Sequence, residues 1–291
     1  MKTAIIFPGQ GSQFVGMGID FFEQYEVSKD VFNRLDQSLG RKISELIFTG
    51  NIDELSKTQN SQPAIMATSI AIFYALLHDG FIKQNSFQAV AGHSLGEYSA
   101  LVANESILFE ESVNLLEIRS RAMQESMPIG TGGMVAIIGC DDKEIATIIN
   151  KASKFGKVYI ANDNSNGQIV LSGEIESIKF ISENAKNLKI RKAILIPVSA
   201  PFHCELMTHA SEILSNEIEK IKFRKFKSPL YSNVTSDICN EAEIADLLVK
   251  QVVSKVRWRE IIQNMIRDEF KRFIEIGPGN VLTNLVKRIS R

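Results

Sequence analysis

The residues that most clearly suggest chemistry form a short G-x-S-x-G stretch, Gly92-His93-Ser94-Leu95-Gly96. In a nucleophile elbow, a serine with this spacing stands on a strained turn between a strand and a helix. The flanking glycines let strand and helix approach closely, because they carry no Cβ. The Ser94 oxygen then faces solvent, and the backbone N–H of Leu95 points toward a developing oxyanion. An ordinary glycine-flanked turn with a capping serine is the alternative.

A nucleophilic serine needs a base within hydrogen-bond reach. His203 is the best candidate among the four histidines of the chain. It lies in a loop after a predicted strand and downstream of Ser94, which is the chain order of α/β-hydrolases. His78 and His209 fall in predicted helices, and His93 lies in the elbow itself. For His203, a histidine at a helix start without a catalytic role is the alternative.

The acid that completes a hydrolase triad is missing from the sequence pattern. Asp141 and Asp142 are typical of a helix cap, and Asp163 is typical of a turn. The sequence therefore predicts a serine–histidine dyad in which a backbone or amide group orients the imidazole.

Two further side chains are candidates by position. The loop after the first predicted strand, Thr3–Phe7, contains Gln10 and lacks the phosphate-loop pattern. In an α/β protein this loop lies at the carboxyl edge of the sheet, where ligands bind. Arg119 neighbours the apolar positions of a predicted helix, Phe109–Met127, and could reach inward, although a solvated arginine is the ordinary expectation.

The elements that must position these residues alternate between strands and helices. A short apolar strand, Phe87–Ala91, leads into the elbow helix, and Pro63 is predicted to open the helix before it. The glycine-rich segment Pro128–Gly133 is a predicted hinge. Beyond it, a β-α-β-β-α-β pattern that ends with the strand Lys192–Val198 predicts an inserted ferredoxin-like unit.

Composition limits the class of protein. The 291 residues are 44% hydrophobic and 23% charged with a net charge of -1, which is typical of a globular protein with a substantial core. The charge balance gives no reason to expect nucleic acid or a membrane surface as a partner, and no apolar run reaches membrane-span length.

Cys140, Cys204 and Cys239 show no paired spacing, and the histidines show no metal-ligand spacing. We expect a reducing cytoplasm, without a disulfide framework or a metal site.

Several stretches together resemble the malonyl-CoA:acyl carrier protein transacylases, the acyltransferase family of type II fatty acid synthesis and polyketide synthases. The resemblance covers nearly the whole chain, and its blocks keep the order and spacing of the family. These blocks are Phe7–Gln13, Thr58–Ala64, Ala91–Tyr98, Arg119, Met123–Gln124, Pro201–Cys204, Ser232–Val234 and Glu275–Leu282. The resemblance implies an α/β fold with an α/β-hydrolase-like large domain, residues 1–127 and 199–291, and an inserted ferredoxin-like small domain, residues 128–198.

The resemblance also implies the chemistry of the central residues. Ser94 is expected to be the nucleophile and His203 the general base. The backbone N–H groups of Gln10 and Leu95 are expected to form the oxyanion hole. The main-chain carbonyl of Gln251 is expected to orient the histidine, which accounts for the missing acid.

Three further positions match residues around the cleft of the family. Arg119 is expected to bind the malonyl carboxylate, and Asn162 is expected to line the cleft. Phe202 resembles a bulky residue that crowds the malonyl α-carbon in malonyl-selective relatives, so it should disfavour a methylmalonyl group.

The implied reaction moves a malonyl group from malonyl-CoA to the phosphopantetheine thiol of acyl carrier protein through a malonyl-serine. No metal or other cofactor is expected, and the chain is expected to act as a monomer in the cytoplasm. A serine hydrolase such as a thioesterase and a non-catalytic scaffold for a carrier protein are the alternatives. Because acyl carrier proteins are acidic, a basic surface should receive them. Lys222–Lys227 and Arg191–Lys192 are the two basic runs, and an ordinary solvated face without a docking role is the alternative for both.

Overall fold

Two β-sheets organise the protein, in a computed structural model that describes residues 1–198 and 200–290. The larger sheet consists of β1 (Thr3–Phe7), β2 (Ala89–Gly92), β7 (Leu230–Tyr231), β8 (Ile238–Cys239) and β9 (Arg272–Glu275). Its strand order is β8-β7-β2-β1-β9. All neighbouring strands are parallel except β8, which pairs antiparallel with β7. Because parallel strands share one carboxyl edge, the loops after β1, β2 and β7 meet there.

The smaller sheet is antiparallel throughout. It consists of β3 (Gly132–Ile138), β4 (Val158–Ser165), β5 (Gln168–Glu174) and β6 (Lys192–Ile196), in the order β4-β5-β3-β6. Helices α8 (Asp142–Ala152) and α9 (Ile175–Glu183) lie between these strands in the chain. This part has its own apolar cluster, in which Val135 and Leu171 of the sheet meet Ile145 and Ile178 of the helices.

The remaining helices come before β3 or after β6 in the chain, in the same segments as the strands of the larger sheet. They are α1 (Ile19–Gln24), α2 (Glu26–Leu39), α3 (Ile43–Thr49), α4 (Ile52–Ser56), α5 (Thr58–His78), α6 (Gly96–Ala103), α7 (Phe109–Glu125), α10 (Thr208–Ile218), α11 (Ile244–Val253), α12 (Trp258–Arg267) and α13 (Val281–Ile289). A short 3-10 helix, Glu205–Met207, precedes α10. None of the helices in the described ranges is both long enough and apolar enough to cross a membrane.

The larger sheet is buried on both faces. Ile5 and Phe7 of β1 belong to one apolar cluster, whereas Ala4 and Ile6 belong to another that includes Trp258 of α12. Successive side chains of a strand point to opposite faces, so one cluster lies on each side of the sheet. Every residue of β1 is buried, as expected for a parallel strand covered by helices on both faces.

The prediction that Pro63 opens a helix is wrong, because α5 begins at Thr58 and the proline lies inside it. Proline lacks the N–H that would bond to the carbonyl of Gln59, four residues earlier. Arg41 Nη2 donates to that carbonyl instead, at 3.1 Å. This replacement donor satisfies the carbonyl and lets the helix continue through the proline.

Strand β4 is longer than the strand that the sequence pattern predicts, Val158–Ala161. The polar residues Asn162 and Asp163 stay in the ladder opposite β5, with bulges on either side, so the turn predicted over Asp163–Gly167 shortens to Asn166-Gly167. The strand also reaches the larger part of the protein. Asp163 N donates to Val256 O, and Val256 N donates to Ala161 O, both at 2.9 Å. These bonds place the end of β4 next to the carboxyl edge of the larger sheet.

Candidate active site

Ser94 lies on the turn between β2 and α6, at the carboxyl edge of the larger sheet. Its φ of +53° is in the left-handed region, which is uncommon for a residue other than glycine. A Cβ on Gly92 would lie 1.9 Å from the Gly96 backbone, and a Cβ on Gly96 would lie 2.3 Å from Phe7 O. Only glycine therefore fits at these two positions, and the G-x-S-x-G stretch forms the predicted strand–turn–helix.

Asn233 holds this turn from the neighbouring strand. It follows β7, and its Oδ1 accepts a hydrogen bond of 2.7 Å from Ser94 N. Its Nδ2 donates to Gly92 O at 2.7 Å. Because one side chain satisfies a donor and an acceptor of the strained turn, it stabilises the backbone angle of Ser94.

His203 lies within hydrogen-bond distance of the serine. Its Nε2 is 2.8 Å from Ser94 Oγ, and its Nδ1 is 2.9 Å from the main-chain oxygen of Gln251. A carbonyl oxygen only accepts, so the proton of the neutral imidazole is on Nδ1 and the lone pair of Nε2 faces the serine. Burial and, as a smaller cause, the charge of Arg119 together lower the pKa of His203 to about 3. The imidazole is therefore neutral at physiological pH and able to accept a proton.

Arg119 reaches inward from α7 and is 1% exposed. Its Nη2 donates to Ser94 Oγ at 3.0 Å and to Gln251 Oε1 at 2.9 Å, and its Nη1 donates to Gln62 Oε1 at 2.6 Å. Within the described residues its Nε has no acceptor, and no carboxylate forms an ion pair with it. Burial lowers its pKa, yet a guanidinium keeps its charge. The site thus holds a buried cation with an unused donor.

The predicted site residues surround one cleft, with a volume of about 140 Å³. The cleft-lining residues among them are Gln10, Ser94, Leu95, Arg119, Asn162, Phe202 and His203. Gln251 lies behind the cleft and is fully buried. Neither the backbone N–H of Gln10 nor that of Leu95 has an acceptor in the part of the chain that the structure describes. Apolar side chains from the smaller sheet, Met134 and Ile196 among them, close the opposite wall.

Sequence reasoning missed the polar groups beneath the cleft. Glu97 is buried in the first turn of α6, where it accepts hydrogen bonds from Asn233 N and Gln251 Nε2. Burial raises the pKa of Glu97 to about 7. Gln62 was likewise missed, although it contacts Arg119. Each of these residues stands in a stretch that resembles the family, but the contacts join segments far apart in the chain, which local patterns do not encode.

The other histidines do not reach the serine. His78 and His209 are exposed on helices α5 and α10. His93 contacts Asn164 Oδ1 at 2.8 Å, which ties the elbow to the end of β4. Across the described ranges, no three His, Cys, Asp or Glu side chains are grouped as a metal site.

Known proteins are similar to this chain along nearly its whole length. Residues 4–291 match the acyl transferase domain family. The malonyl CoA-acyl carrier protein transacylase of Bacillus subtilis (strain 168) is 41% identical over 292 residues, which cover 100% of this chain and 91% of that protein. The crystal structure of the acyl-carrier-protein S-malonyltransferase from Bartonella henselae has a TM-score of 0.96 at 41% identity, covering 99% of this chain and 92% of that one.

A second similar structure contains a carrier protein. It is a malonyl-transacylase in complex with its type II PKS acyl-carrier protein, with a TM-score of 0.94 at 38% identity, covering 99% of this chain and 93% of that one. The mixed α/β architecture of this chain, with one largely parallel and one antiparallel sheet, is thus that of solved malonyltransferases. At this identity and coverage, the chain belongs to the malonyl CoA-acyl carrier protein transacylase family, and it is an acyltransferase.

Proposed function

We propose that the chain transfers the malonyl group of malonyl-CoA to the phosphopantetheine thiol of acyl carrier protein, in fatty acid synthesis. The observation that carries this proposal is the position of Ser94 Oγ. It lies 2.8 Å from a neutral imidazole nitrogen of His203 and 3.0 Å from the buried guanidinium of Arg119. A nucleophile, its base and a fixed cation for a carboxylated acyl group therefore meet at one atom.

In the first half-reaction, Ser94 Oγ attacks the thioester carbon of malonyl-CoA while His203 Nε2 takes the hydroxyl proton. The C–S bond then breaks, and the CoA sulfur leaves with the proton from His203. The malonyl group remains as an ester on Ser94. In the second half-reaction, the carrier-protein thiol gives its proton to His203 and attacks this ester. Ser94 leaves and recovers its proton, which completes a ping-pong cycle.

The orientation of His203 comes from the main chain rather than from an acid. We propose that the carbonyl of Gln251 fixes the imidazole with its lone pair toward Ser94, and the 2.9 Å contact to Nδ1 supports this role. The backbone N–H groups of Gln10 and Leu95 stabilise the oxyanion of each tetrahedral intermediate. Both line the cleft, and neither donates to another group among the described residues.

Substrate choice is assigned to three side chains of the cleft. Arg119 pairs with the malonyl carboxylate, because a buried carboxylate without a cation would be costly. Asn162 supplies a polar wall from β4, and Phe202 crowds the acyl α-carbon. Measuring transfer of methylmalonyl-CoA tests the last role: Phe202→Ser should admit this substrate, and an unchanged preference for malonyl-CoA contradicts it.

We also propose the domain division. An α/β-hydrolase-like large domain comprises residues 1–127 and 199–291, and an inserted ferredoxin-like small domain comprises residues 128–198. The parallel sheet, the antiparallel sheet and the separate apolar cluster of the latter support this division. Ser199 and Arg291, at two of these limits, lie outside the described residues. Limited proteolysis should cut first at the exposed residues Pro128–Thr131, before β3, and first cuts inside β3–β6 contradict the boundary.

The family resemblance and the cysteine pattern lead us to propose a monomer that acts in the cytoplasm. Light scattering on purified protein measures the first point. A mass near 32.5 kDa over a range of concentrations is expected, and a concentration-independent dimer contradicts it.

The acyltransferase reaction is tested by incubating the protein with malonyl-CoA and recording its intact mass. We expect a malonyl adduct that persists until phosphopantetheinylated acyl carrier protein is added, and then disappears. Free malonate released without carrier protein indicates a thioesterase. An unchanged protein and unchanged malonyl-CoA indicate a scaffold, and either of these two results contradicts the proposal.

A further inference from the structure

Glu97 is a buried carboxyl group at the centre of the site that the proposed reaction does not use. It is 1% exposed, and donors surround it. Asn233 N donates to its Oε1 at 3.1 Å, and Gln251 Nε2 donates to its Oε2. Ser232 is a third donor, since its hydroxyl lowers the pKa of Glu97, in opposition to burial. A site built only of donors is suited to the carboxylate form.

The side chain of Gln251 lies between this carboxylate and the substrate-binding cation. Its Nε2 donates to Glu97 and, at 3.1 Å, to Ser94 O, while its Oε1 accepts from Arg119 Nη2 at 2.9 Å. A half-turn of the amide would place NH₂ against a guanidinium, which has only donors, and a carbonyl oxygen against the carboxylate. Glu97 and Arg119 therefore accept the same single orientation of the amide.

Arg119 also needs a countercharge while no substrate is bound. No carboxylate forms an ion pair with it in the described ranges, and burial lowers its pKa while Tyr98 and then Glu97 raise it. Glu97 is the carboxyl group of these two. The negative charge of Glu97 thus acts on Arg119 without direct contact, because the side-chain amide of Gln251 lies between them. Arg119 therefore has no carboxylate among the described residues in direct contact, and its charge is not paired before a substrate binds.

We propose that Glu97 is a positioning residue: through the amide of Gln251, it holds the Arg119 guanidinium in the place where the acyl carboxylate binds. This role rests on the proposed function, because it presupposes that Arg119 pairs with the malonyl carboxylate. It concerns selection of a carboxylated acyl group rather than the chemistry at Ser94.

The variant Glu97→Gln tests this role. One of the two acceptor oxygens becomes NH₂ and faces a donor, so the amide of Gln251 loses its fixed orientation. We expect kcat/KM for malonyl-CoA to fall roughly 10- to 100-fold, the range for a lost hydrogen bond to a charged group. Acetyl transfer should fall much less, so the preference for malonyl over acetyl should shrink. A folding defect alone would lower both substrates equally and leave the ratio unchanged.

Ser99→Ala is the matched control, because Ser99 lies on the same helix, is buried, and has a hydroxyl without a partner in the described residues. It should leave the malonyl-to-acetyl ratio as in the parent chain. Gln251→Met removes the amide but keeps the main-chain carbonyl, so it should reduce the ratio as well. Adding Glu97→Gln to this variant should have no further effect on the ratio, because the residue that transmits the effect is already gone.

An unchanged ratio in folded Glu97→Gln, or full additivity in the double variant, overturns the inference. If Glu97→Gln does not fold, Gln251→Met decides, and a preserved ratio in that variant overturns it. These outcomes are distinct from failure of the proposed function, in which the parent chain itself forms no malonyl adduct.

Discussion

The guanidinium of Arg119 has one donor, Nε, that lacks an acceptor among the described residues. It is a buried cation with no ion pair among the described residues. We expect Arg119→Ala to lower kcat/KM for malonyl-CoA by roughly 10²- to 10³-fold, since two charge-assisted bonds to a carboxylate are lost. Acetyl transfer should fall far less. Arg121→Ala is the control, because Arg121 lies on the same helix, is 62% exposed and pairs with Glu117. Equal losses for malonyl and acetyl transfer would make Arg119 a structural residue.

His203 should also affect how stability depends on pH. Its pKa is about 3 in the folded protein and about 6.5 in an unfolded chain. Between these values the unfolded state binds more protons, so acidification through this window favours unfolding. We expect the free energy of unfolding to fall more steeply below about pH 6.5 in the parent chain than in His203→Gln. The exposed His209 is the control, and His209→Gln should follow the parent chain. Parallel curves for His203→Gln and the parent would contradict the neutral, buried imidazole.

At the scale of residues, the sequence predicted those parts of the site that a local pattern encodes. Ser94 has a motif around it, and His203 has a place in chain order. The orienting carbonyl of Gln251 came only from the family resemblance, because any residue has a main-chain carbonyl. The partners Asn233 and Glu97 were missed, since their roles arise from contacts between segments more than 130 positions apart.

At the scale of elements, the elbow depends on close backbone packing between β1 and α6. A Cβ on Gly96 would lie 2.3 Å from Phe7 O and 2.8 Å from Pro8 O, and backbone atoms cannot move aside as a side chain can. We expect Gly96→Ala to destabilise the protein by about 1–3 kcal/mol or more and to reduce activity, because the loop that carries Phe7, Pro8 and Gln10 must shift.

A glycine in the smaller sheet provides the control for this prediction. A Cβ on Gly133 would meet the flexible end of Ile175 at 3.1 Å, so Gly133→Ala should be tolerated better. Thermal unfolding and malonyl transfer measure both variants. Equal stability of Gly96→Ala and the parent chain would contradict the close packing of the elbow.

At element scale, the sequence predicts the first and last residues of elements that have a clear hydrophobic pattern. It does not predict the limits that contacts with distant segments set. The sequence pattern predicts a strand over Thr3–Phe7 and a last helix over Val281–Ile289, and β1 and α13 have these bounds. The start of α5 was placed too late, because Arg41 from another segment satisfies the carbonyl that Pro63 leaves free. The sequence pattern after the last basic run predicts a strand over Leu230–Asn233, but β7 ends at Tyr231, since Asn233 turns away to bond with the elbow.

At the scale of the whole molecule, the cleft lies between the carboxyl edge of the larger sheet and the smaller sheet. Arg259 of α12 joins the two parts through Asp163 at 2.7 Å and Asp142 at 3.1 Å.

The two basic runs differ in their position relative to this cleft. Lys222–Lys227 leads into the amino end of β7, on the edge opposite Ser94. Lys192 is the first residue of β6 and Arg191 precedes it, and the other end of this strand, Ile196, lines the cleft.

We therefore propose that the second basic run, Arg191 and Lys192, is the surface that receives an acidic carrier protein. Charge reversal at Arg191 and Lys192 should raise KM for carrier protein several-fold and leave KM for malonyl-CoA unchanged, because charge complementarity mainly speeds encounter. Reversal at Lys222 and Arg224 is the control on the opposite edge and should have the smaller effect. Equal effects of the two reversals, or equal effects on both substrates, would exclude docking at β6.

The central claim is that Ser94 carries the acyl group between the two substrates. Peptide mapping after incubation with malonyl-CoA tests it most directly, with Ser94→Ala as the paired variant. We predict a malonyl group on the peptide that contains Ser94, its loss when carrier protein is added, and neither adduct nor transfer in Ser94→Ala with the fold intact. A malonyl group mapped to another residue, or transfer that persists in Ser94→Ala, would contradict the mechanism.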